Sequence, residues 1–240
     1  MKRDHDTTAH RAKTIRRLTA RSVIKFDRRA IMLTVACVLV HLLSLSPSAR
    51  AHPHAWIDLR STVHLNGDGQ IVGIEQEWLF DNFYTLFVIE SANRNAVDQK
   101  KALTHLAETN LKNLRAYDYY TEVRVGGKKV TFNTVTEFDS ELRGDKLWMR
   151  FLVPLSEPVD ASASQVSYAV YDPTYYVEIL HLKDDVVAFR GSSKHRCGGR
   201  ILAPNPTMEA VTLAQALDRQ APPDSSLGRM FAEQVDISCR

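Results

Sequence analysis

Two histidines flank a proline at His52-Pro53-His54, directly after the small-x-small tripeptide Ala49-Arg50-Ala51. A cut after Ala51 would give a chain that begins His-Pro-His. The new terminal amine has an ordinary pKa near 8, so a divalent metal can displace its proton at modest cost. The amine and Nδ1 of His52 can then close one chelate ring, and His54 adds a second imidazole. A nitrogen-rich set of this kind suits Cu(II), Ni(II) and Zn(II), with copper favoured by the Irving–Williams order. Pro53 has no amide proton. It therefore blocks the square-planar mode that uses deprotonated backbone amides ahead of a third-position histidine, and any remaining ligand must come from the fold. The alternative is a pair of solvated histidines at a freshly cut terminus.

Two further residues are candidate ligands. Asp172 stands at a strand break in Tyr171-Asp172-Pro173-Thr174-Tyr175-Tyr176 and either aims its carboxylate at a site or closes an Asx turn before the proline. His195 lies in a loop near Cys197 and is either a ligand or solvated. His64 shares a strand face with His54, but ten residues at about 3.3 Å each place it some 30 Å away. His181 and His105 read as packed or surface residues. Glu75, Glu77 and Asp81 sit near Trp78, with nothing to set them as a catalytic pair. The chain contains no Gly-x-Ser-x-Gly, no phosphate-cradling glycine loop and no His-Glu-x-x-His.

Residues 1–51 have the order of a secretory signal: a basic stretch, an apolar run from Ala30 to Leu45, then the small-x-small site. About 16 apolar residues at roughly 1.5 Å each are short of a hydrocarbon core of about 30 Å, so the expectation is a cleaved leader over 1–51, no stable membrane insertion afterwards, and a single periplasmic domain over 52–240. The leader holds 11 basic and 3 acidic side chains, which leaves 20 basic and 25 acidic in the remainder, a net of −5. The whole-chain charge of +3 thus belongs to the leader and argues against nucleic acid as a partner. Outside the leader, Cys197 and Cys239 make an even pair in an oxidising compartment, which predicts one disulfide.

The spacing predicts strands first. Ala55, Ile57, Leu59, Val63 and Leu65 alternate with polar residues, and Asn66-Gly67-Asp68-Gly69 turns the chain into a second strand over 70–80. Asp81-Asn82 caps a short helix with Phe83, Leu86 and Phe87 on one face. Leu103, Leu106, Ala107, Leu111 and Leu114 mark an amphipathic helix within 97–117. Further strands are expected over 121–125, 130–138, 147–155 (with Pro154 toward an edge), 166–170, 175–179 and 186–189. Two helices close the chain, over about 207–219 and from Ser225 through Val235. The fold class is α+β: an antiparallel sheet or sandwich with an inserted amphipathic helix and C-terminal helices.

His52-Pro53-His54-Ala55-Trp56-Ile57-Asp58, Trp78-Leu79-Phe80-Asp81-Asn82-Phe83, Tyr171 to Tyr176 and the ending Phe231 to Cys239, in that order, resemble the bacterial family catalogued as domain of unknown function 1007. Its members are often labelled periplasmic components of an ABC-type transport system and are associated with nickel/cobalt-type membrane transporters. The resemblance implies a periplasmic protein working around a membrane metal permease. The expected function is therefore binding of a transition metal, copper, nickel or zinc, in aid of a metal transport system, and not enzymatic. Two alternatives are an envelope interaction module with no metal role and a copper-dependent enzyme using the terminal histidine.

Overall fold

The computed structural model describes residues 29, 32–35, 37–38, 53–93, 98–182, 187–192, 194–216 and 227–240. The chain divides into two compact units, Met1–Ser48 and Ala49–Arg240. In the first, the described residues are helical. No helix among the described residues is long and apolar enough to cross a membrane. His52 lies outside the described residues.

The second unit is α+β and built on two sheets. β1 (Ala55–Leu65) buries every second side chain, as its alternation dictates. Asn66 accepts the amides of Asp68 and Gln70 at 3.0 and 2.9 Å, and the chain returns antiparallel as β2 (Ile71–Phe80). α1 (Asn82–Asn93) follows, then α2 (Gln99–Leu114), whose N-cap Asp98 accepts the Lys101 amide and which buries Leu103, Ala107 and Leu111. A 3-10 segment, Arg115–Tyr120, leads into β3 (Thr121–Val125) and the two-residue β4 (Lys128–Lys129). Next come β5 (Phe138–Arg143), β6 (Lys146–Val159), β7 (Val166–Val170), β8 (Val177–His181), β9 (Ala188–Arg190) and β10 (Cys197–Leu202). α3 (Met208–Ala216), the single turn α4 (Leu227–Met230) and β11 (Gln234–Cys239) complete the chain.

One sheet runs β5-β6-β2-β1-β8, with β9 also on β1; the other runs β10-β11-β7-β3-β4. Both send side chains into one core, Leu59, Val63, Ile74 and Phe151 from the first and Val123, Val166, Tyr168 and Val235 from the second. Most pairs are antiparallel, but β8 and β9 both run parallel to β1.

Three expectations are corrected. Residues 130–138 do not form a strand: beyond Lys129 the chain makes only an isolated bridge, Phe132 to Leu155, and ladder pairing resumes in β5. Pro154 lies toward an edge, as expected: the β5 ladder ends at Phe151, and beyond it β6 ladders only with β2, so the missing amide, which faces the same side as those of Leu152 and Ser156, costs no ladder bond. Tyr175 and Tyr176 precede β8, because the turn at Asp172 consumes them. The last segment is only one helical turn before it becomes β11, which inserts between β10 and β7. Leu227, Phe231 and Val235 fit a helical period, but Val235 and Ile237 are buried as alternate residues of an interior strand. The Cys197–Cys239 disulfide is present and joins Cα partners of the β10–β11 pair.

Candidate functional site at the start of strand one

β1 and β8 run in parallel with Ala55 beside Val177 and Trp56 beside Glu178. One residue earlier the ladder already holds: the His54 amide donates to the Tyr176 carbonyl at 2.8 Å. The His54 and Tyr176 rings lie 4.5 Å apart between centroids, tilted by 38°. Because side chains alternate along strands, His54, Trp56 and Glu178 share one face of the sheet. Trp56 is fixed from its other side, since its amide donates to the Asp81 carboxylate at 2.9 Å and its carbonyl accepts the Asp81 amide at 3.0 Å.

Beside this edge opens a cleft of about 490 Å³ lined by Pro53, Trp56, Tyr175, Glu178, Val211 and Phe231 among others. Tyr175 builds its wall. It sits at φ +57, in the left-handed region that bulky residues avoid. That conformation stacks its ring on Phe231, with 4.0 Å between centroids and 15° between planes, and brings its hydroxyl to donate to Glu178 Oε1 at 2.9 Å. Burial, and then the Glu178 carboxylate, push the Tyr175 hydroxyl well above the usual phenol range. Behind Tyr175, Ala210, Ala214 and Leu227 of α3 and α4 form a small apolar cluster of their own.

Asp172 makes this geometry possible by acting as the turn. Its Oδ1 accepts the Thr174 amide at 2.9 Å and the Thr174 hydroxyl at 2.8 Å, and its Oδ2 accepts the Val177 amide at 3.1 Å. Both oxygens face backbone, and the residue is buried. Gly228 packs against the same turn so closely that a Cβ there would lie 1.8 Å from the Asp172 carbonyl oxygen; only glycine fits. His195 is elsewhere. It lies in the exposed 3-10 turn Lys194–Arg196 that follows β9, and β9 pairs with β1 at Thr62–His64. That is roughly 30 Å along the strand from His54, so the two cannot share a metal.

Of the described residues, the Glu178 carboxylate lines the cleft, while the His54 imidazole packs against the Tyr176 ring. Among the described residues no group of three or more His, Cys, Asp or Glu side chains is placed to hold a metal ion. Of the other histidines, His105 is exposed. His64 lies 3.4 Å from Glu75, and burial holds its imidazole below the usual range.

A second constellation joins residues far apart in the sequence. The Ser61 hydroxyl lies 2.8 Å from His181 Nε2, and His181 Nδ1 lies 2.7 Å from Glu233 Oε2. Tyr168 places its hydroxyl 2.6 Å from the same Ser61 oxygen. This is the order of a nucleophile, base and orienting acid. Yet Ser61 is 3% exposed and Tyr168 1%, so no substrate carbonyl can reach the serine. Ser61 and His181 belong to one sheet, Tyr168 and Glu233 to the chain of the other, and the relay ties the two together. Its one sequence signal was Ser61 itself, a polar residue in the inward stripe of β1 where Leu59 and Val63 flank it.

The four stretches His54–Trp56, Phe80–Asp81, Tyr171–Tyr176 and Phe231 thus meet around one edge. The chain also has relatives among known sequences. A curated protein from Haemophilus influenzae, called "Uncharacterized protein", is 29% identical over 203 residues, covering 82% of this chain and 95% of its own length. An "Uncharacterized 15.5 kDa protein in trpE 3'region" from Spirochaeta aurantia is 31% identical over 98 residues, 41% of this chain and 69% of its own. The family model described as "Protein of unknown function (DUF1007)" matches residues 37–239, nearly the entire length, and the chain belongs to that family.

Proposed function

We propose that this is a periplasmic protein that binds a transition metal at its processed N-terminus and assists a membrane metal transporter, as the periplasmic component of an ABC-type or nickel/cobalt-type system. The observation that carries this reading is the fixed placement of His54. Its amide is tied to Tyr176, its ring packs on the Tyr176 ring, and Glu178, which strand alternation puts on the same sheet face, lines a cleft. A terminus that begins two residues earlier would add an amine and an imidazole to that face. In this reading the protein is a carrier and not an enzyme, and it takes copper, nickel or zinc. The leader-like segment and the net −5 charge of residues 52–240 suit an exported protein that handles cations.

The test is metal analysis of protein purified from the periplasm with its native terminus. About one equivalent of a single transition metal, lost in His54→Ala, supports the reading. A mature start other than His52, or metal-free protein that takes up none, refutes it.

A second reading has its own observation. Phe83, Leu86 and Phe87 of α1 are 78%, 65% and 65% exposed, an apolar face of the kind that marks protein contacts. The protein would then be an interaction module of the envelope or of a transporter, and double replacement of His52 and His54 by alanine would leave partner binding unchanged.

A further inference from the structure

On the opposite flank of the Tyr171 turn lies a separate cleft of about 510 Å³, lined by Tyr117, Tyr120, Glu122, Arg124, Lys129, Tyr171 and Arg229 among others. We propose that it binds a small organic anion, a carboxylate or phosphate carried on a flat or apolar body.

The floor of the cleft is Glu122, which is buried. Arg124, two residues along β3, donates from Nε at 2.8 Å. Lys129, the Cα partner of Arg124 on β4, forms an ion pair with the same carboxylate. Arg229 arrives from α4 with Nε at 3.5 Å, and the Tyr171 hydroxyl donates at 3.2 Å. One buried carboxylate needs one cation to neutralise it. Three leave a surplus of positive charge at the floor, against which only the exposed Asp118 stands among the other lining residues.

The cations are also held in place. Arg124 spends a terminal nitrogen on the Gly127 carbonyl at 2.8 Å, and Arg229 spends one on Gln234 at 2.8 Å. In each guanidinium the second terminal nitrogen takes no part in these bonds, and the Lys129 ammonium is mostly exposed. Fixed forks of this kind recognise carboxylate and phosphate oxygens.

The walls supply the apolar part. Arg229 lies over the Tyr171 ring at 5.8 Å, and Tyr117 and Tyr120 line the same space. Their placement is strained: Asp118, Tyr119 and Tyr120 run consecutively at φ +52, +55 and +57. Surrounding bonds hold this left-handed run. The Val135 amide donates to the Tyr119 hydroxyl at 3.1 Å, and the Tyr171 amide to the Tyr120 carbonyl at 2.8 Å. Strain of this kind collects at ligand clamps, and here it sets Tyr120 between the cleft and the core, where its ring stacks on Trp78 at 6.2 Å. The proposal is independent of the metal reading, since the residues are different.

Calorimetric titration of the full chain with phenyl phosphate and benzoate tests it, with inorganic phosphate and acetate as bare-anion controls. Phenyl phosphate should bind with a dissociation constant below about 1 mM and more tightly than inorganic phosphate. Lys129→Gln, at an exposed position, should weaken it at least about tenfold with an unchanged circular dichroism spectrum, and Lys129→Arg should restore it. Arg229→Gln should weaken it as well. Absence of saturable binding, or binding undiminished in Lys129→Gln, would overturn the proposal. Equal affinity for phenyl phosphate and inorganic phosphate would overturn its aromatic component.

Discussion

The backbone amide of Trp56 donates to the carboxylate of Asp81 at 2.9 Å, while the other oxygen of Asp81 accepts the Tyr84 amide at 2.9 Å. One side chain thus caps α1 and pins the first strand at the edge where the candidate site lies. Asp81→Ala removes both bonds. The expected cost is about 2 kcal/mol, a lost N-cap plus a lost charge-assisted hydrogen bond, read as a lower urea midpoint. If the N-terminal edge is the metal site, affinity should fall too, because His54 is only two residues from the released amide.

The Ser61–His181–Glu233 relay predicts a structural phenotype. Ser61→Ala leaves the Tyr168 hydroxyl and His181 Nε2 buried without this partner, at a cost of about 1–3 kcal/mol. His181→Ala adds a cavity and takes the imidazole from Glu233 Oε2, which keeps only the backbone amide of residue 181, so it should cost more, about 3 kcal/mol. Chemical denaturation checks both. A fluorophosphonate probe should leave Ser61 unlabelled in the folded protein, as its burial requires; labelling would show that the relay opens to solvent.

Much of this was legible in the sequence, and the misses have physical causes. β1 falls on Ala55–Leu65 because alternation is a local property. α2 starts where Asp98 caps it. The C-terminal strand is ambiguous in sequence because Leu227, Phe231 and Val235 satisfy a helical period while Val235 and Ile237 also satisfy a strand. Only the slot between β10 and β7 decides between them. His54 and Asp172 were visible as unusual residues, but the roles they take depend on a parallel pairing between strands that start at Ala55 and Val177. Glu178 gave no signal, since its neighbour Trp56 comes from the far end of the domain sequence. The relay was hidden for the same reason: Ser61, His181 and Glu233 meet only after both sheets form.

Acid should unfold the protein partly through Glu122. Burial alone would raise its carboxyl, but the hydrogen bonds and charges of Arg124 and Lys129 outweigh that and bring it from 4.5 to about 2. With the folded value depressed, the unfolded chain binds more protons between the two values. The stabilisation is present above about pH 4.5 and is lost as pH falls toward 2. Urea midpoints measured between pH 6 and 3 should fall, and Glu122→Gln should flatten that part of the slope.

The disulfide closes a separation of 42 residues. In the chain-entropy account this contributes about 4 kcal/mol. The paired replacement Cys197→Ser with Cys239→Ser should lower the urea midpoint accordingly, and β10 and β11 should lose hydrogen-exchange protection first, because Cys197 and Cys239 are partners in their ladder. Protection unchanged in the variant would show that backbone pairing alone holds the C-terminus.

The most direct test of the metal reading compares two proteins that differ only at the terminus, one beginning at His52 and one keeping Ala51 ahead of it, each titrated calorimetrically with Cu(II), Ni(II) and Zn(II). The account predicts binding of at least one of these ions tighter than about micromolar by the first. It predicts at least about a tenfold loss in the second, because the extra residue parts the amine from the imidazole of His52. Equal affinity in the two proteins, or no binding by either, would contradict it.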